Sequence, residues 1–337
     1  MRAYYLDDDS FSMLADRVAQ TKCLIGPVKD GDNSSFKRIA SRRDLRLDYT
    51  NSVVSPKFVF LPQLDELLVY DVKGGEAKAT TLGRDEDVVL LGVRPCDSSA
   101  LSVLDKVMGG KQVDPYYSER RQRTLIVSLS CSEPREACFC DAFSAGPFEG
   151  TNDDVTLTRV DNGYIAVPKT RKGAGFIKEF REHFRPASRS QTERFRSESD
   201  RIKQALKTRL SSEDVGAKMD KALNDDFWQE LSWRCVECGV CSFVCPACYC
   251  FDVVDEAEGS AGSRSRGWDS CQFCTFSKMA GGLDPRPTKA DRLRHRFYHK
   301  LQYVPRTFGV MSCVGCGRCV MLCPSNIDIR EVIAKCQ

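Results

Sequence analysis

The chain has 337 residues, of which 42% are hydrophobic and 29% charged, a balance that suits soluble globular folding and excludes global disorder. A formal net charge of +3 is too small to argue for a nucleic-acid partner, and no run nears the roughly 20 apolar residues of a membrane-spanning helix. The 18 cysteines are far above ordinary usage, so the thiols must serve disulfides, metal or redox chemistry.

The opening segment MRAYYLDDDSF lacks the basic and apolar regions of a secretory signal, which predicts a cytoplasmic protein. Reducing cytosol disfavours a disulfide framework, and clustered thiolates then point to bound metal. The length predicts two domains, and the fold class read from the pattern is α+β: a mixed α/β domain over 1–185, a polar helical linker over 186–232 and a mainly helical, cysteine-rich domain over 233–337.

In the first part, Asp9 or Ser10 is placed to cap an amphipathic helix carrying Phe11, Leu14 and Val18. Short apolar runs follow at KFVFLP and LLVYDV. DVVLLGVRP and TLIVSLSC read as strands buried on both faces, and TLTRVDNGYIAV as a hairpin turning at Asn162-Gly163. RKGAGFIK reads as a loop. The segment RPASRSQTERFRSESDRIKQALKTRLSSEDVG is Arg-, Ser- and Glu-rich and fits a solvated helix. At the end, Ser325 or Asn326 is placed to cap a helix over SNIDIREVIAKCQ.

The last third contains an internal repeat. CVECGVCSFVCP and CVGCGRCVMLCP share the frame CVxCGxCxxxCP, the bacterial ferredoxin run in which three close thiolates serve one 4Fe-4S cluster and the fourth reaches the other. One cluster accordingly takes Cys235, Cys238, Cys241 and Cys323, and the other takes Cys313, Cys316, Cys319 and Cys245. Gly239 and Gly317 leave backbone room beside each cubane, and Pro246 and Pro324 turn the chain away. A pair of structural zinc sites is the competing reading, but zinc takes four local ligands, usually as two CxxC knuckles.

Two further thiol groups are candidates. Cys248, Cys250, Cys271 and Cys274 stand between the copies, where a cluster, a zinc ion and inert packing are all open readings. Cys96 in GVRPCD follows a predicted strand, and Asp97 reads as the cap of a helix carrying Leu101, Leu104 and Met108; a helix N-terminus favours a thiolate. Cys131, Cys138 and Cys140 complete that set, with buried structural thiols as the alternative. Cys23 and Cys336 remain as structural cysteines. Arg286, Lys289, Arg292, Arg294, Arg296 and Lys300, with His295 and His299, form a basic run that reads as a solvated helix face or as a shell that raises cluster potentials and docks an acidic partner. No dinucleotide, phosphate-loop, HExxH or GxSxG motif is present.

GVRPCD, CFC, the two CVxCGxCxxxCP runs, CPACYCFDV, WDSC with AGG downstream, and RLRHRFYHK together resemble the family of the anaerobic sulfite reductase A subunit and the cytoplasmic sulfhydrogenase beta subunit over most of the chain. The resemblance implies a non-catalytic iron-sulfur conduit between a flavin-bearing, NAD(P)H-oxidising subunit and a catalytic redox subunit of sulfite reductase, hydrogenase or heterodisulfide reductase type. It implies cluster roles for the eight ferredoxin cysteines and for Cys96, Cys131, Cys138 and Cys140, and it extends to Cys248, Cys250 and Cys271. Cys274 departs from the family pattern. Two other classes compete with the conduit: a flavin-binding reductase with its own hydride chemistry, and a zinc-stapled scaffold without redox function.

Overall fold

A computed structural model describes residues 2–73, 76–81, 83, 86–143, 146–206, 210 and 215–335. Cys336 lies outside the described residues. The first half runs β1 (Tyr4–Asp7), α1 (Asp8–Thr21), β2 (Cys23–Asp30), β3 (Asn33–Arg38), β4 (Leu64–Lys73), β5 (Glu76–Thr81), β6 (Val88–Val93), α2 (Pro95–Met108), α3 (Pro115–Arg123), β7 (Thr124–Leu129), β8 (Val155–Val160), β9 (Gly163–Pro168), α4 (Arg171–Glu179) and β10 (Arg185–Pro186). The second runs α5 (Arg189–Ala205), α6 (Val215–Lys221), α7 (Phe227–Arg234), α8 (Val240–Phe243), β11 (Phe251–Glu258), β12 (Ala261–Trp268), α9 (Lys289–Tyr298), α10 (Val304–Phe308), α11 (Arg318–Met321) and α12 (Ile329–Lys335). The α+β class stands.

Eight strands form one sheet in the order β10-β1-β9-β8-β7-β6-β2-β3, with β2, β6, β7 and β8 parallel at its centre. β6 and β7 are buried along their whole length, as their mainly apolar runs require. Val89, Leu91, Leu125 and Val127 point to the face covered by Phe11, Leu14 and Val18 of α1 and by Phe176 and Ile177 of α4. Val88, Leu90 and Ile126 point the other way, onto Leu101, Leu104 and Met108 of α2 and Tyr117 of α3.

Several local expectations shift. Helix α1 is capped by Asp7, which accepts from the Ser10 amide at 3.0 Å, so it begins earlier than Asp9. Helix α2 starts on Pro95 with Arg94 at the cap position; Asp97 is inside the first turn, its carboxylate turned to a distant arginine. Proline at the first helical position is preorganised for that start. RKGAGFIK is helix α4, because Thr170 caps it by accepting from the Gly173 amide at 3.1 Å. Gly173 lets it close on the sheet, since a Cβ there would lie 1.9 Å from the Asp154 carbonyl oxygen. The β8–β9 turn is Asp161-Asn162, flanked by the pair Val160 and Gly163, with Asp161 at φ 53°. KFVFLP begins in a 3-10 turn over Pro56–Val59.

A second sheet has the order β11-β12-β4-β5, joining a hairpin from between the cysteine repeats to strands from the first third. The helical remainder packs Met219, Trp228 and Leu231 against Leu293, Phe297, Tyr298, Val332 and Ile333.

The two halves are locked at the carboxyl end of the parallel strands. Arg318 of α11 holds Asp97 of α2 through Nη1–Oδ1 at 2.6 Å and Nη2–Oδ2 at 2.8 Å, and its Nε donates to the Ser52 carbonyl at 2.8 Å. Asn51 Nδ2 donates to the Cys316 carbonyl at 3.1 Å and the Phe139 amide to the Gly315 carbonyl at 2.9 Å. Both side chains of the ion pair are almost wholly buried. Removing one partner of such a pair leaves an uncompensated buried charge, so Asp97→Ala is expected to cost about 3–5 kcal/mol. An anaerobic denaturant titration reads this as a lowered midpoint; an unchanged midpoint would mean the pair does not hold the halves together.

Candidate metal centres

Both CVxCGxCxxxCP copies fold alike. The second residue after the first cysteine, Glu237 or Gly315, has φ 56° or 62°, and the glycine two further on, Gly239 or Gly317, has φ 72° or 75°. Each of these glycines opens a short helix, α8 or α11, that carries the third cysteine. The copies differ where their surroundings do. A Cβ at Gly315 would lie 2.4 Å from the Phe139 carbonyl oxygen, so only glycine fits beneath the CFC loop. Glu237 accepts the same left-handed backbone, and its carboxylate is held by Arg292.

Cys235, Cys238 and Cys241 line one cavity together with Cys323 of the other copy, and Cys319 reaches its wall. Backbone amides already point at this sulfur set: Glu237 N donates to Cys235 Sγ at 3.4 Å and Ile327 N to Cys323 Sγ at 3.3 Å. Cys238 is exposed, with Trp233 and Val236 exposed near it in the chain. On the other side, the buried Cys245 lies among the charges felt by Cys313 and Cys316. Lys300 Nζ donates to Cys245 Sγ at 3.2 Å and to the Ser312 carbonyl at 3.2 Å. Burial pushes Cys241 up to about 11 and Cys313 up to about 12.

The N-terminal thiols sit where the parallel strands end. Cys96 follows β6 and Cys131 follows β7, neighbours in the sheet, so the crevice at the strands' carboxyl ends receives both. Gly92, at φ 80°, makes a bulge that shifts the β6–β7 register between Leu91 and Val93, and pairing resumes with Val93 opposite Ser128. Cys131 feels Cys138, Cys140 feels both, and Cys96 feels Cys131 and Cys316, so this set abuts the second ferredoxin run. Burial pushes Cys131 up to about 11.

The group between the copies divides. Cys248 is hydrogen-bonded to Cys245 and Cys250 to Cys271, while Cys274 lies exposed. The hydrogen bond from Cys250 draws Cys271 down to about 6. Lys57 donates to the Cys248 carbonyl at 2.9 Å and the Ser242 carbonyl at 3.2 Å, with its ammonium over the Trp268 ring. Among the described residues no three His, Cys, Asp or Glu side chains converge on a point fit for a single metal ion.

The donor chemistry fits clusters of net negative charge. Arg296 is 4% exposed and lines the cavity of Cys235, Cys238, Cys241 and Cys323, with Nε and Nη2 unpartnered among the described residues. Among the described residues Arg94, 2% exposed, donates only to the carbonyls of Leu47, Leu129 and Ser130, stacks on Tyr49 and leaves its Nε unpartnered beside Cys131. Buried guanidinium groups without a carboxylate are costly, and thiolate-ligated clusters beside them would supply the missing charge. The basic run divides: Arg292, Arg296 and Lys300 recur every four residues along α9 and the turn after it and are buried, whereas Arg286, Lys289 and Arg294 are half-buried. Arg94, Arg318 and Lys57 escaped the sequence reading, though Arg94 and Arg318 stand inside the motifs RPC and GRC that frame the thiols.

Residues 234–327 match the family model described as a 4Fe-4S dicluster domain. Over 334 residues, 99% of this chain and 98% of the relative, the sequence is 32% identical to sulfhydrogenase 2 subunit beta of Pyrococcus furiosus. The chain belongs to the sulfhydrogenase beta subunit family. As a member of that family with a dicluster domain, it is an iron-sulfur electron-transfer subunit that carries 4Fe-4S clusters. Among the described residues no helix is long and apolar enough to cross a membrane.

Cys323→Ala is expected to remove the cluster of Cys235, Cys238 and Cys241 and to spare the one at Cys313, lowering iron by about four per chain. Electron paramagnetic resonance of the reduced protein identifies which signal is lost; loss of the Cys313 signal alone would reverse the crossing.

Proposed function

We propose that this chain relays electrons between a flavin-bearing, NAD(P)H-oxidising subunit and a catalytic redox subunit of the same assembly, without catalytic chemistry of its own. The observation that carries the reading is the cavity ringed by Cys235, Cys238 and Cys241 of one copy and Cys323 of the other, the crossing that a two-cluster ferredoxin demands. Cys245, Cys313, Cys316 and Cys319 would hold the second cluster, and Cys96, Cys131, Cys138 and Cys140 a third. Each cluster, when bound, supplies a one-electron donor and acceptor state. The protein's part is to keep those thiols together, to supply amide and cationic partners to the sulfurs, and to exclude water from the buried sets.

The thiol sets adjoin one another in succession, from the strand ends at Cys96 and Cys131, to Cys316, to the cavity whose wall Cys319 shares with Cys241 and to the exposed Cys238. A succession with one member at the surface suits transfer to a second protein. The relative's designation as a beta subunit supports partner subunits for this chain too.

Iron, acid-labile sulfide, zinc and flavin, measured per chain on one anaerobic sample, test the proposal. About twelve iron and twelve sulfide without flavin are expected for three clusters, and about sixteen would add the Cys248, Cys250, Cys271 and Cys274 group. About eight would make the N-terminal thiols structural. Zinc in place of iron, or flavin bound to this chain alone, would overturn the relay.

A further inference from the structure

We propose that Arg296 is a counter-charge shared by the two repeat-held clusters, raising the potential of both, whereas Lys300 acts on the Cys245 side alone. This inference rests on the cluster reading above.

The argument starts from spacing. Arg292, Arg296 and Lys300 fall on one face of α9 and the turn after it, and that face is buried. Each has a different fate. Arg292 is committed to Glu237 and to the carbonyls of Arg286 and Pro287, at 3.1 and 3.0 Å. Lys300 donates to Cys245 Sγ and the Ser312 carbonyl, both at 3.2 Å. Arg296 keeps two nitrogens, Nε and Nη2, without a partner among the described residues.

Its position explains what those nitrogens face. The cavity that Arg296 lines is walled by Cys235, Cys238, Cys241 and Cys323 of the first set and by Cys319 of the second. The guanidinium thus stands where the two sets meet. A thiolate-ligated cluster gains a further negative charge on reduction, and a fixed cation in a poorly screened interior stabilises the reduced form more than the oxidised one. A cation between two clusters does this for both. Arginine suits the place because it stays charged when buried and its planar fork can address sulfurs on two sides.

Anaerobically purified full-length protein, titrated potentiometrically with resonance detection, tests the inference, with Cys323→Ala used to identify the first cluster's signal. Arg296→Gln should shift both midpoints to more negative values at unchanged iron content. Arg296→Lys, which keeps the charge, should stay closer to the natural protein, and Lys300→Met should shift only the Cys313 cluster. Unmoved midpoints in Arg296→Gln with full iron, or a shift in one cluster only, would overturn the shared role. If Arg296→Gln loses iron while Arg296→Lys keeps it at near-natural potentials, charge is the requirement and the proposal stands. Loss of iron in both variants would make the residue structural. A natural protein without iron would overturn the cluster reading as well.

Discussion

The buried pair between Arg318 and Asp97 fixes how the two halves of the molecule meet. Arg318 is the residue inside the second CGxC run, and Asp97 directly follows Cys96, so one ion pair ties the thiol at a strand end to the thiols of the repeat. Neither charge has access to water, which makes the bidentate geometry and the added bonds to Ser52 a condition of burial rather than an ornament. Asp97 is thereby removed from helix capping, and Pro95 takes over the start of α2.

The repeat shows how one backbone is adapted to two environments. Left-handed residues recur at matching places in both copies, because the loop must turn three thiols toward one point. In the exposed copy the first of these residues is Glu237, tethered by Arg292; in the covered copy it is Gly315, under Phe139. The difference at one position records which copy lies beneath the sheet half.

Much of this was legible from the sequence. The ferredoxin frames propose their own partners through spacing, and the cavity brings Cys323 beside Cys235, Cys238 and Cys241 as the motif's crossing expects; the mainly apolar runs point to β6 and β7 because a strand covered on both faces has no solvated side. What escaped depends on partners far along the chain. Asp97 reads locally as a cap, and nothing near it announces Arg318. The basic run looked solvated because Arg292 finds its carboxylate, Glu237, and Lys300 its sulfur, Cys245, far back along the chain, which a local charge count does not show. RKGAGFIK looked like a loop because its glycines serve close packing on Asp154 rather than turning.

The second sheet has a consequence for how the polypeptide is made. Strand β12 pairs with β4 from Gly267 opposite Leu64 to Ala261 opposite Asp71, so its hydrogen bonds close a very long loop of chain. Such non-local pairing forms late, after the entropy of closing the loop has been met. On a ribosome, β4 and β5 must wait as an isolated pair until the hairpin β11–β12 has emerged, and a two-stranded pair is marginal in water. The strands at the base of that hairpin lead into Cys250 and Cys271, so the thiol-bearing segment between the repeats acquires its final shape only when an early and a much later part of the nascent chain have met.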